Sequence, residues 1–257
     1  MRTIGLLYPG TSAINDFDHL TEALAAHDVS LLVQETSVGV DAHEVGALLD
    51  LGSAERLGEA AARIAHRVDA ITWACTSGSF VFGWEGAHQQ VAQITERTGL
   101  PASSTSLAFM RACRAMNLRR VVVAASYPQE VAEHFVSFLR AAGVEITGFS
   151  SHEIHTAAEV GTLGHEEVAQ IVSGVQDVTA RDGAQAILVP DTAMHTLAHL
   201  EHLELVAGLP VLTANQVTVF DALGVLGLDL HLDGFGSLFA PPGVDGGRVS
   251  GSAGGER

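Results

Sequence analysis

The sequence contains no lysine: all 13 residues of the Lys+Arg class are arginine. Without an ε-amine there is no Schiff-base lysine, no pyridoxal aldimine and no GxxxxGK phosphate loop. A GxGxxG following a strand is also missing, which removes support for a nicotinamide cofactor. Cysteine is scarce, with two residues, Cys75 and Cys113, so no disulfide framework exists and a reducing, cytoplasmic compartment is the expectation. No uncharged apolar stretch approaches the roughly 18 to 20 residues of a membrane helix, so no membrane partner is expected. The apolar run after Met1-Arg2 breaks at Tyr8-Pro9-Gly10, too soon for a signal peptide. Positive charge is sparse as well: 30 acidic residues against 13 basic ones give a formal charge of −17, which excludes nucleic acid as an expected partner.

What the chain has in abundance is apolar sequence, 47% of its 257 residues, and that sequence is repeated. Val68-Asp69-Ala70-Ile71-Thr72-Trp73-Ala74-Cys75-Thr76-Ser77 matches Ala184-Gln185-Ala186-Ile187-Leu188-Val189-Pro190-Asp191-Thr192-Ala193. Each copy is a short apolar run closed by a polar pair. His19, Leu24, Ala26 and Val29 recur as His134, Leu139, Ala141 and Val144, an offset of 115 against the 116 between Cys75 and Asp191. Gly99-Leu100-Pro101 returns as Gly208-Leu209-Pro210, and Tyr8-Pro9 as Tyr127-Pro128. A chain of two similar halves can set equivalent loops face to face across one cleft.

Apolar runs at 4–7, 30–33, 70–74, 121–125, 145–149 and 187–189 read as buried strands, separated by helical spacings such as Val131, Phe135, Phe138, Leu139 and Ala142. Alternating strands and helices with continuously apolar strands predict an α/β fold: two pseudosymmetric subdomains, each a parallel sheet flanked by helices. Residues 1–115 plus about 213–240 are expected to form the first subdomain and 116–212 the second. Residues 241–257 read as a disordered tail. In such sheets ligands bind beyond the carboxyl ends of the strands, where Tyr8-Pro9-Gly10, Cys75-Thr76-Ser77, Ser126-Tyr127 and Asp191-Thr192 fall.

Cys75 therefore stands out from Cys113, which lies inside a helical run and reads as a packing residue. A helix starting at Cys75 would favour a thiolate and bind a carboxylate with its free N–H groups. Asp191 is either a helix cap or, as the repeat partner of Cys75, an acid/base. Tyr127 is a turn residue before Pro128 or a donor to an oxyanion. His195, His199 and His202 recur on one helical face, but no HExxH or cysteine-rich ligand set accompanies them, so they read as a solvated face and no metal is expected.

Thr72-Trp73-Ala74-Cys75-Thr76-Ser77-Gly78-Ser79-Phe80, Gly99-Leu100-Pro101-Ala102-Ser103-Ser104-Thr105-Ser106 and Pro210-Val211-Leu212-Thr213-Ala214-Asn215-Gln216 together resemble the aspartate/glutamate racemase superfamily, most closely its maleate cis–trans isomerase and arylmalonate decarboxylase branch. The resemblance covers roughly residues 3–228. It implies an active site between two pseudosymmetric subdomains and chemistry without metal or organic cofactor. Cys75 matches the first of two family cysteines, and Asp191 stands at the second. Retention of Cys75 favours the isomerases, which use that cysteine as nucleophile, whereas the decarboxylases protonate from the second. The resemblance also assigns substrate carboxylate binding to Tyr127, Thr76, Ser77 and Thr192, and to the first loop with Pro9, Gly10 and Ser12, where isomerases commonly carry an asparagine near Ser12.

The function expected on these grounds is cofactor-independent isomerisation of a small unsaturated dicarboxylate such as maleate, with Cys75 as nucleophile and Asp191 as acid/base. An arylmalonate-decarboxylase-like lyase or a racemase acting through an enediolate is the alternative enzyme. A non-catalytic carboxylate-binding protein is the alternative outside catalysis. Assembly into a homo-oligomer is left open.

Overall fold

A computed structural model of the chain describes residues 1–175 and 183–241. The tail expected at 241–257 lies, apart from Pro241, outside the described residues. Among the described residues, eight strands form two four-stranded sheets. The first holds β1 (Arg2–Pro9), β2 (Val29–Thr36), β3 (Ala70–Trp73) and β4 (Ala102–Ser104), in the order β2-β1-β3-β4. The second holds β5 (Arg120–Ala125), β6 (Glu145–Ser151), β7 (Ala186–Val189) and β8 (Val211–Thr213), in the order β6-β5-β7-β8. Every pairing is parallel, and the two orders are the same, so the sequence repeat is a structural one.

Parallel strands need helical crossovers, which cover both faces and account for the fully buried stretches of β1, β3, β5 and β7. In each sheet the strand order reverses at the central pair. Crevices therefore open beyond Pro9 and Trp73 in one sheet and beyond Ala125 and Val189 in the other.

The short edge strands β4 and β8 are the elements that periodicity misses. Three residues are too few to show a pattern, and Ala102-Ser103-Ser104 is not apolar. The same device positions both. The helices Gly83–Thr98 and Leu200–Ala207 stop at Gly99 and Gly208, which take left-handed φ of 72° and 65°, and a Leu-Pro pair then feeds the edge strand. The serines of β4 are buried because their hydroxyls are satisfied: Ser104 accepts from Ser79 at 3.1 Å, and Ser103 donates to Asp221.

Two helix packings help to join the halves. The helix Gln129–Ala141 of the second half packs on Ser77–Phe80 and Gly83–Thr98 of the first, with Phe135 5.2 Å from Phe80 and 5.3 Å from Phe109 between ring centroids. The helix Ala214–Val225, opened by a Thr213/Gln216 capping box, crosses back onto the helix Thr105–Ala115. There Asp221, 2% exposed, accepts from Ser103 and from Arg111 at 2.8 Å, and Thr218 meets Thr105 at 2.6 Å.

Candidate active site

A cavity of about 320 Å³ lies between the carboxyl ends of β1, β3 and β7. Cys75 and Asp191 both line it, as do Pro9, Gly10, Ser12, Ser77 and Thr192. Residues 38–43, the loop after β2, close one side, and Leu48, Leu51 and Ala157 supply an apolar flank. Among the described residues no arginine lines this cavity, and the acidic side chains on its wall are Asp41 and Asp191.

Cys75 follows β3 directly, and the chain then turns into the short helix Ser77–Phe80. The Gly78 N–H donates to Sγ at 3.3 Å, and the Ser77 hydroxyl lies 3.9 Å from it. Those contacts favour a thiolate, but burial opposes it more strongly: the thiol is 3% exposed, and its pKa is pushed up to about 12. The expected low-pKa thiolate is thus corrected to a neutral thiol. A single helical turn supplies a contact or two, whereas desolvation acts on the whole charge, and the Asp191 charge opposes ionisation as well.

Gly78 is held in place from behind. Gln90 spans the carbonyls of Gly52 and Gly78 at 2.7 and 2.8 Å, and a Cβ on Gly52 would stand 1.9 Å from Gly78 O. Only glycine permits that approach.

Asp191 follows β7 and Pro190. Its Oδ2 accepts from Ser126 at 2.5 Å, and its Oδ1 accepts from the backbone of Ala193 at 2.9 Å. A turn follows it rather than a helix, so its capping reaches only that one N–H. Burial raises its pKa first of all; the neighbouring His43, Ser126 and Ala193 pull it down, and Asp41 pushes it up.

Two tyrosines brace the cleft. Tyr8 ends β1 and donates to the carbonyl of Thr192 at 2.9 Å while accepting from Ala13 N at 3.1 Å, tying the first half to the second. Tyr127 donates to the carbonyl of Pro190 and packs edge-on against Phe80. Burial raises both phenols above their ordinary range, and the charges of Asp191 and Cys75 act on each in the same direction. Tyr127 is not on the cavity wall, and its hydroxyl hydrogen is already committed to Pro190. It supports the wall, where sequence reasoning expected a direct donor. Thr76 is also behind the wall: its hydroxyl comes close enough to the Tyr127 phenol to favour ionisation, but makes no hydrogen bond of good geometry.

The histidines do not converge. His195 pairs with Asn15 at 3.0 Å, whereas His199 and His202 face His165 with ring centroids 5.1 and 6.4 Å away. The helix begins only at Leu200, so the expected single helical face is replaced by a turn and a helix. Among the described residues no group of three or more His, Cys, Asp or Glu side chains could hold a metal ion. No helix of the described residues is long and apolar enough to cross a membrane.

Sequence reasoning missed two parts of this region. His43 is buried on the cavity wall, and Asp16 accepts from the backbone of Thr196 and Leu197 at 3.1 Å and from Asn215 at 2.8 Å. Neither belongs to the repeat; the local signal is no more than an imidazole in the loop after β2 and an acidic side chain in the short 3-10 helix after β1.

Known proteins share this architecture. The chain is 26% identical over 179 residues to the maleate isomerase of Geobacillus stearothermophilus, covering 68% of this chain and 70% of that one. It is 28% identical over 171 residues to the arylmalonate decarboxylase of Bordetella bronchiseptica, covering 64% and 68%. A solved structure of a mutant Nocardia farcinica maleate cis–trans isomerase, with a covalently bound succinylcysteine intermediate, superposes with a TM-score of 0.79 at 22% identity, over 93% of this chain and 98% of that one. The family model for arylmalonate decarboxylase matches residues 51–239, and the chain belongs to that family.

Proposed function

We propose that this protein is a cofactor-independent isomerase of a small unsaturated carboxylic acid, with Cys75 as nucleophile and Asp191 as acid/base. The observation that carries the reading is the placement of both groups at the ends of equivalent strands, β3 and β7, in one cavity. The succinylcysteine in the Nocardia farcinica structure supports covalent chemistry at a cysteine in this fold. The substrate carboxylate is held by the loop of Pro9, Gly10 and Ser12 together with Ser77 and Thr192, while Thr76 and Tyr127 back that wall.

The neutral resting thiol sets the order of events. As Sγ bonds to one alkene carbon, its proton passes to Asp191, and the alkene electrons move onto the adjacent carboxylate as an enediolate. The proton returns to the adjacent carbon, giving a saturated thioether. Rotation about the new single bond, proton removal and C–S cleavage then release the trans acid and restore the thiol. No proton is gained or lost overall.

A second reading rests on the same thiol. A cysteine that stays protonated is suited to deliver a proton to one face of a planar enediolate, as arylmalonate decarboxylation or racemisation requires. One experiment separates the two: maleate, a monoester of maleate and an arylmalonate are each incubated in D₂O and followed by ¹H NMR. Isomerisation replaces cis by trans alkene signals and stops in Cys75→Ala. Conversion of the arylmalonate alone establishes the second reading, and turnover retained in Cys75→Ala overturns both.

A further inference from the structure

We infer that His43 is a second acid/base residue of this site, sharing one transferable proton with Asp191 and presenting it to the reacting carbon from Nε2. The inference rests on the isomerase reading of the cleft and adds a group which that reading lacks.

The ring is fixed from several sides. His43 comes from the loop after β2 in the first half, yet its bonds are to the second. Its backbone N–H donates to His155 O at 2.7 Å, and its Nδ1 lies 2.8 Å from Ile154 O. A carbonyl can only accept, so Nδ1 carries a hydrogen whatever the charge on the ring. The Tyr127 ring stands edge-on to the imidazole, with centroids 4.9 Å apart at 87°, and is itself tethered through its hydroxyl to Pro190, the residue before Asp191. The same loop is pinned next door, where the Asp41 carboxylate accepts from the N–H groups of Ala157 and Ala158 at 2.9 and 3.1 Å.

This leaves Nε2 as the uncommitted atom. His43 lines the cavity, and among the described residues no protein group meets Nε2 at hydrogen-bonding distance. Among the described residues it is the single basic side chain on that wall. The titratable groups around it are Asp191 after β7, Asp41 on its own loop, Tyr127 before the helix Gln129–Ala141, and Tyr8 and Cys75 at the ends of β1 and β3.

Asp191 alone is poorly disposed to deliver a proton, because both of its oxygens already accept hydrogen bonds and hold it as an acceptor. An imidazolium Nε2 has no competing acceptor. His43 is also the largest influence favouring the ionised form of Asp191. The ring and the carboxylate are thus electrostatically linked on one cavity wall and can hold a transferable proton between them. As the S–C bond forms, the Cys75 proton passes to the couple. That proton is carried on Nε2, the N–H bond breaks as the C–H bond forms, the couple regains its starting protonation, and elimination retraces both transfers. Once the ring has taken up the thiol's proton, its positive charge also stands on a wall where, among the described residues, no arginine does.

The test uses the full chain with His43→Asn, whose amide can keep a donor to Ile154 O while Nε2 is lost with the outer part of the ring, and His43→Gln as a second variant if the first loses its fold by circular dichroism. Without substrate, ¹³C NMR of the Asp191 carboxyl, assigned through Asp191→Asn, should show its titration midpoint moving to higher pH in the His43 variant. With substrate, kcat should fall about 10- to 100-fold with KM changed less, and the pH–rate profile should lose one limb. An unchanged Asp191 midpoint, or a wild-type kcat and profile in the variant, overturns the inference. If no compound is turned over by the wild type, the isomerase reading fails while the NMR titration still judges the couple.

Discussion

Alkylation of Cys75 tests the balance of forces at the centre of the cleft. With its pKa pushed up to about 12, the resting thiol leaves a thiolate fraction on the order of 10⁻⁴ at pH 8, against roughly a quarter for a free cysteine of pKa ~8.5. Iodoacetamide should therefore label native Cys75 about 10³ times more slowly than the same residue in urea, and burial to 3% exposure slows it further. The logarithm of the native rate should climb by about one per pH unit from 7 to 10 without a plateau. Cys113, raised to about 12 by burial alone, should be comparably slow. The two cysteines part company in Asp191→Asn, because the Asp191 charge contributes to raising Cys75 and not to raising Cys113. That variant should accelerate labelling of Cys75 selectively, yet leave it far below a free thiol, since burial is the larger cause. The assay is peptide mapping by mass spectrometry after timed quenching. A plateau in the native rate near pH 8 to 9, or a lower one, would refute the argument that desolvation outweighs the Gly78 and Ser77 contacts.

The remaining expectations concern the groups around that thiol. Folding raises the Asp191 pKa, so its contribution favours the fold when protonated and is lost as pH rises through the folded value; Asp191→Asn should melt higher than wild type at pH 8, with the gap closing towards acid, while its turnover falls about 10²-fold. A wild-type turnover rate with unchanged pH dependence would reduce Asp191 to a turn residue. Gly52→Ala should displace Gly78 and with it the N–H on Cys75, impairing turnover and lowering stability by a few kcal/mol, about 1–3, in urea melts; a neutral result would mean that the two backbones separate freely. Arg111→Met removes the cation paired with the buried Asp221, and since Arg111 is itself 43% exposed the cost should be about 2 kcal/mol, below the range for a fully buried pair. Arg111→Met should leave the labelling rate of Cys75 unchanged.

Local sequence carried a good deal of this protein. The run that ends at Cys75 and its copy ending at Asp191 located the two central strands, because a strand buried on both faces must be apolar throughout and must end where polarity returns. The Gly-Leu-Pro triplets were legible as part of the repeat, and the structure shows that their glycines are left-handed helix stops, each followed by an edge strand. What the sequence could not decide was anything summed over the whole environment. The protonation state of Cys75 is one such quantity: Thr76, Ser77 and Gly78 are next to it in the chain and argue for a thiolate, but the burial that overrules them comes from the closure of two halves around it. His43 is another. Nothing near it in sequence marks it, and it joins the site only because the fold brings it to Ile154, 111 residues away, where one carbonyl fixes its tautomer and leaves the other nitrogen without a protein partner among the described residues. Strand ends are local properties of the chain, whereas desolvation and cross-cleft hydrogen bonds exist only once distant segments have excluded water together.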